Sequence, residues 1–154
     1  CDAADHLAGV VFPTAKPRVM RAERTFWEKA TAIHVFCAQG EFRGGERFAR
    51  HWYDVAKLDE AGFADRAIAD RELANAVARH KAMFFAEKDT TGAVIDYSAA
   101  VGGALQLAPT GAALTTLSTD YARMVEDGLL FDEVETFERV LDRCRSIQGK
   151  ANRV

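Results

Sequence analysis

A mainly α-helical domain of about five helices is what this sequence predicts, and three observations predict it. Apolar side chains recur at helical spacing over most of the chain, glycine-bearing or polar breaks separate those stretches, and capping residues precede two of them. At 154 residues, 49% hydrophobic and 28% charged, the chain is long enough for one domain with a real core and ordinary in composition for a globular protein.

The first helix runs from Glu23 to about Ala38, with Phe26, Trp27, Ala30, Ile33, Phe36 and Cys37 as its apolar stripe. Gln39 to Gly45, carrying Gly40, Gly44 and Gly45, breaks it. A second helix from Glu46 to about Ala61 carries Phe48, Trp52, Val55 and Leu58, and Gly62 supplies its stop. A short helical turn begins at Asp65. Asp70 is the N-cap of a longer helix reaching Phe85, with Leu73, Val77, His80 or Lys81, and Phe84 inward. The polar run Glu87 to Gly92 is a loop. Pro109 and Thr110 open a helix carrying Leu114, Leu117, Tyr121 and Met124, ended by Gly128. Asp132, with Glu135 three residues on, forms a capping box for the last helix, whose core face is Val134, Phe137, Leu141 and Cys144. Residues 17–20 and 93–97 are the two places where a short strand fits.

Residues 1–16 lack strong periodicity and read as an irregular segment or the remnant of an upstream domain, with 17–154 as a helical C-terminal domain. A chain that opens on Cys1 carries the expectation of a longer protein of which this is the later part.

Composition excludes some function classes. A net charge of −3 gives no global attraction to nucleic acid or an anionic membrane, so phosphate binding requires a local patch. No run of 18 apolar residues exists, so no membrane span is expected. Cys1, Cys37 and Cys144 make no C-x-x-C pair; Cys37 and Cys144 lie among apolar residues as small hydrophobes, which fits a reducing, cytoplasmic setting. His6, His34, His51 and His80 lack the spacing of a metal motif, and no metal ligand is assigned within the chain.

Two polar clusters interrupt the helical pattern: E-R-T-F-W-E-K (Glu23 to Lys29) and R-H-W-Y-D (Arg50 to Asp54). At 100° per residue Lys29 projects roughly 80° from the centre of its helix's stripe. Its stem can lie on the core with the ammonium outside, which is also what a plain snorkelling lysine does. Asp54 flanks the second helix, four residues after Arg50 and three after His51, and a surface ion pair with either is its bland reading. Helices joined by a short linker pack antiparallel, so the two flanks can face one groove. A lysine and an aspartate across a groove suit phosphoryl chemistry, the ammonium holding a triphosphate and the carboxylate positioning a sugar, base or nucleophile. No clustered carboxylates for Mg²⁺ accompany them. The linker F-R-G-G-E-R-F (Phe42 to Phe48) lacks P-loop spacing and reads as a turn; with Arg43, Arg47, Arg50 and Lys57 it is locally basic, a phosphate or RNA contact or a solvated face. Trp27 and Trp52 read as core anchors, and His34 and His51 as satisfied core histidines.

At E-R-T-F-W-E-K-A-T-A-I-H (Glu23 to His34) and R-H-W-Y-D-V-A-K-L (Arg50 to Leu58) the chain resembles the nucleotidyltransferase AbiEii/AbiGii toxin family of type IV toxin–antitoxin and abortive-infection systems. Similar, less specific segments are K-A-M-F-F (Lys81 to Phe85), I-D-Y (Ile95 to Tyr97) and L-S-T-D-Y-A-R-M (Leu117 to Met124). The resemblance implies a polymerase-β-like N-terminal domain with a glycine–serine motif and metal-binding carboxylates, neither of which has a counterpart here. It also implies a helical C-terminal domain that adds a lysine and an aspartate to the same cleft. By position these are Lys29 and Asp54 as catalytic residues, with Arg50, His51 and Arg24 as substrate-binding ones. The implied reaction is nucleotide transfer from a nucleoside triphosphate (NTP) to RNA, in some members tRNA, with Mg²⁺ held outside this chain and a cognate antitoxin as partner. The chain alone is then expected to be inactive. The competing reading is a non-catalytic helical module that binds RNA or protein, for which Lys29 and Asp54 would point to separate regions of solvent.

Overall fold

The broad apolar face of the first helix sets the architecture, because three other helices are needed to cover it. The computed structural model describes residues 16–17, 19–40, 46–130 and 135–153. In it α1 (Ala22–Gln39) buries Phe26, Trp27, Ala30, Ile33 and Phe36 and packs against α2 (Arg50–Glu60), α3 (Phe63–Ala69) and α4 (Arg71–Phe84). A three-residue helix α5 (Tyr97–Ala99) continues into a π-type turn, Ala100–Ala104, against α4. Then come α6 (Gly111–Glu126) and α7 (Phe137–Ala151); α7 packs on α2 and α3 and also meets α6. Among the described residues the domain is mainly α, as the periodicity predicts.

The two tryptophans anchor the centre. Trp27 and Trp52 are wholly buried, and each indole N–H is paired: Trp27 Nε1 donates to Ala67 O at 2.9 Å and Trp52 Nε1 to Leu107 O at 2.8 Å. Phe36 meets Trp52 edge-on at 5.3 Å and Phe48 at 5.2 Å, so α1 and α2 share an aromatic seam. Gly40, at φ +63, ends α1 with its N–H on Phe36 O, a left-handed conformation that glycine adopts without strain.

Leu105 and Leu107 are buried in extended chain that belongs to no sheet, so side chains must satisfy its backbone. Asn152 exchanges two hydrogen bonds with Leu105, accepting from its N–H at 2.8 Å and donating to its carbonyl at 3.0 Å. His34 Nδ1 accepts from Gln106 N–H at 3.1 Å and Gln148 Oε1 from Leu107 N–H at 2.7 Å. His34 is thus a satisfied core histidine.

The start of α2 is capped from across the fold. The Asp120 carboxylate of α6 accepts from Arg47 N–H at 2.7 Å and Ala49 N–H at 2.8 Å, two donors that the helix itself cannot use. Arg47 has φ +71, a costly conformation for a side chain other than glycine, and the carboxylate helps hold it.

Several boundaries differ from the sequence reading. Residues 93–97 make an isolated bridge, Val94 to Lys88, before Asp96 caps α5 by accepting from Ser98 and Ala99 N–H. At 17, 19 and 20 no strand forms, since a lone segment has no partner strand among the described residues, and Arg18 lies outside them. The last helix begins at Phe137 with Thr136 as its cap; Asp132 and Val134, like residues 1–15 and Arg43 to Gly45, fall outside the described residues. On α4 the inner face is Ala74, Val77 and Ala78, and Phe84 is exposed, because small residues are what lets α4 approach its neighbours closely.

Asp120→Ala should cost about 1–2 kcal/mol, the usual loss for an N-cap, seen as a lower urea midpoint with an unchanged slope.

Candidate functional site

Lys29 follows the buried Trp27 by two positions and precedes the buried Ala30, so packing fixes its stem at the flank of α1. Asp54 lies in the same way between Trp52 and Val55 on α2. Burial of these neighbours brings the two flanks together, and Lys29 Nζ donates to Asp54 Oδ2 at 2.7 Å. Both side chains keep about a quarter of their surface in solvent, 27% and 24%. The pair therefore occupies one partly open locality rather than two separate regions.

Arg50 stands outside this pair, its Nε 3.9 Å from Asp54 Oδ2 and its side chain 64% exposed. A second ion pair lies alongside. Glu28, next to Lys29 in sequence, takes Lys81 Nζ of α4 at 2.9 Å and Arg24 Nη2 of its own helix at 3.3 Å. Arg24 thus faces Glu28, one step removed from Asp54. His80 Nδ1 lies 3.8 Å from Glu28 Oε1, beyond hydrogen-bond reach.

His51 lies within electrostatic reach of both pairs. Burial chiefly, and then the nearby Lys29, Lys81 and Arg50 charges, push its pKa down to about 4 against the opposing pull of Asp54. Its imidazole is neutral at pH 7, and its buried Nδ1 makes no hydrogen bond among the described residues. His51 is therefore not the satisfied core histidine that the sequence suggests. Phe48 packs edge-on against it at 4.8 Å.

Beside this cluster lies a groove of about 350 Å³. Thr31, Ala32, Val35, Phe36 and Gln39 of α1 form one side, Phe48 and Tyr97 contribute from the core, and Lys81, Phe85 and Glu87 form the other side. Neither Lys29 nor Asp54 lines it. Ala32, one turn beyond Lys29, and Phe48, against His51, join the two. Glu28 lies in the polar cluster E-R-T-F-W-E-K and Lys81 in K-A-M-F-F, but 53 positions separate them and no sequence signal pairs them.

Among the described residues no group of three or more His, Cys, Asp or Glu side chains could hold a metal ion. Asp54 and Glu28 are each engaged by two cations and do not form the oxygen cage that Mg²⁺ requires, so no step is assigned to that ion here. Burial raises the Cys37 and Cys144 thiols to about 12, which makes both inert small hydrophobes. No helix among the described residues is long and apolar enough to cross a membrane.

Residues 1–143 match the family model described as nucleotidyl transferase AbiEii toxin, type IV TA system. No curated protein and no solved structure matches the chain.

His34 and His51 both hold folded-state pKa values below the ordinary 6.5, His34 through burial. The unfolded chain binds protons first as pH falls, so this stability is complete above about 6.5 and is lost down to about 4, where His51 itself charges. Urea midpoints should drop between pH 7 and 4.5, and His51→Gln should flatten part of that slope; an unchanged slope would contradict the buried, neutral imidazole.

Proposed function

The chain belongs to the AbiEii nucleotidyl transferase toxin family of type IV toxin–antitoxin systems, and from that membership we propose that Lys29 and Asp54 form this domain's share of a nucleotide-transfer site acting on RNA, with tRNA as the acceptor. The supporting observation is their meeting at 2.7 Å, with Arg50 and a Glu28–Lys81 ion pair nearby and a largely apolar groove alongside. An ammonium has three donors, and Asp54 uses one, which leaves two for triphosphate oxygens while the carboxylate holds the lysine in place. Asp54 Oδ2 takes Lys29 and Arg50, and Oδ1 is the oxygen offered to a sugar or acceptor hydroxyl. Arg50 and Arg24 extend the positive surface toward the phosphates, and neutral His51 limits the charge around them.

In the transfer, the acceptor hydroxyl oxygen bonds to the α-phosphorus as the bond to the bridging oxygen breaks, the hydroxyl proton passes to solvent water and pyrophosphate departs. Lys29 stabilises the charge that builds on the departing pyrophosphate, and Asp54 aligns the reacting sugar. Mg²⁺ would be held by carboxylates of a second, polymerase-β-like domain. An NTP is the nucleotide donor and an antitoxin the protein partner that membership of the family implies.

A structural ion pair would leave the same geometry, so the test separates the two. In the intact toxin, Lys29→Ala and Asp54→Ala should each lower transfer of labelled nucleotide to RNA by about 100-fold or more, as for loss of a transition-state contact. The exchanged pair Lys29→Asp/Asp54→Lys should recover stability and not transfer. Near-normal transfer by either alanine variant, or by the exchanged pair, would refute the assignment.

A further inference from the structure

We infer that the groove beside the Lys29–Asp54 pair is the seat of a nucleobase, stacked on Phe85 with its phosphates toward Lys81 and Lys29; this deepens the nucleotide-transfer reading and rests on it. At about 350 Å³ the groove lies at the small end of ligand pockets, which run roughly 300–1,000 Å³. That suits one base and its sugar.

Its walls are aromatic. Phe36 and Phe48 close the inner end, and Phe85 forms the outer wall just past the end of α4. Phe85 is 51% exposed, an apolar ring presented to solvent at the mouth of a cavity. Its backbone does not drift, because Tyr97 donates its hydroxyl proton to Phe85 O at 2.7 Å. A half-exposed ring on an anchored backbone is a stacking platform, and every base has a face to lay on it.

Charge sets the direction of the nucleotide. Lys81 Nζ lies 4.8 Å from the centre of the Phe85 ring and 2.9 Å from Glu28, and its charge is also felt by His51. It therefore stands beside the stacking wall and on the carboxylate next to Lys29 in sequence, and we place the first phosphates of a stacked nucleotide there. The far end of the groove offers acceptors. Gln39 Nε2 donates to Glu87 Oε2 at 3.2 Å and to Lys88 O at 3.3 Å, which uses the amide's donor and leaves Gln39 Oε1 and Glu87 Oε1 as acceptors on two lining residues. Every nucleobase carries such a group on an edge.

The base could belong to the nucleoside triphosphate or to the end of an acceptor RNA. Calorimetric titration of the chain with ATP, with inorganic tripolyphosphate and with a short single-stranded RNA bearing a 3′ hydroxyl distinguishes them. Phe85→Ala should weaken binding of ATP or of the RNA about tenfold, the weight of one base–aromatic stack, and leave tripolyphosphate unchanged. The ligand that loses affinity identifies the source of the base. Phe85→Trp should retain binding, with indole emission quenched as the nucleotide enters. The inference is overturned if wild-type protein binds neither ATP nor the RNA, if Phe85→Ala binds both as wild type does, or if tripolyphosphate weakens equally. Tripolyphosphate binding that is lost in Lys29→Ala while Phe85→Ala is silent would keep the phosphate assignment and reject the seat alone.

Discussion

Three residues of extended chain with no sheet to join fix how the principal helices meet. Leu105 and Leu107 are buried on either side of the exposed Gln106, and an unpaired amide at a buried position would cost of the order of a whole hydrogen bond or more. The pairing comes from His34 on α1, Trp52 on α2, Gln148 on α7 and Asn152 at its end. One strap therefore holds three helices in register. His34 lies five residues, about 7.5 Å of helix rise, beyond Lys29, and Trp52 only two before Asp54. The placement of ammonium against carboxylate is inherited from this hydrogen bonding more than from their own attraction, because partly solvated ion pairs contribute little by themselves.

The same packing concentrates positive charge in a chain whose net charge is −3. Four cations, Lys29, Arg50, Arg24 and Lys81, face two carboxylates, Asp54 and Glu28. A fifth positive charge on His51 is suppressed by burial and by those same cations. The surplus is local, half-open and carried on three rigid helices, which is what an anionic ligand needs where the overall field does not attract it.

Much of this was legible in the sequence. The stripes of α1, α2, α6 and α7 follow helical spacing closely, and Asp70 caps α4 as its position suggests, accepting from Leu73 N–H at 3.0 Å. The flanking positions of Lys29 and Asp54 follow from 3.6-residue geometry once the apolar faces are known. What the sequence hid depends on distant partners. Asp120 reads as an ordinary helix residue until its carboxylate is found on another helix's first turn. Glu28 and Lys81 read as a polar flank and a core-stripe ambiguity, and only the crossing of α1 and α4 pairs them. Phe84 follows the apolar period of α4, yet the helix is rotated so that alanines pack inward and the larger rings emerge at its end. Periodicity reports a face; it does not report how far along a helix its neighbours extend.

The hydrogen bond from Tyr97 reaches the main chain of residue 85 and not its side chain. Architecture and chemical identity are thereby uncoupled at that position: the loop keeps its course whatever ring, or no ring, is attached. Descendants of this chain can exchange that side chain without rebuilding the scaffold beneath it.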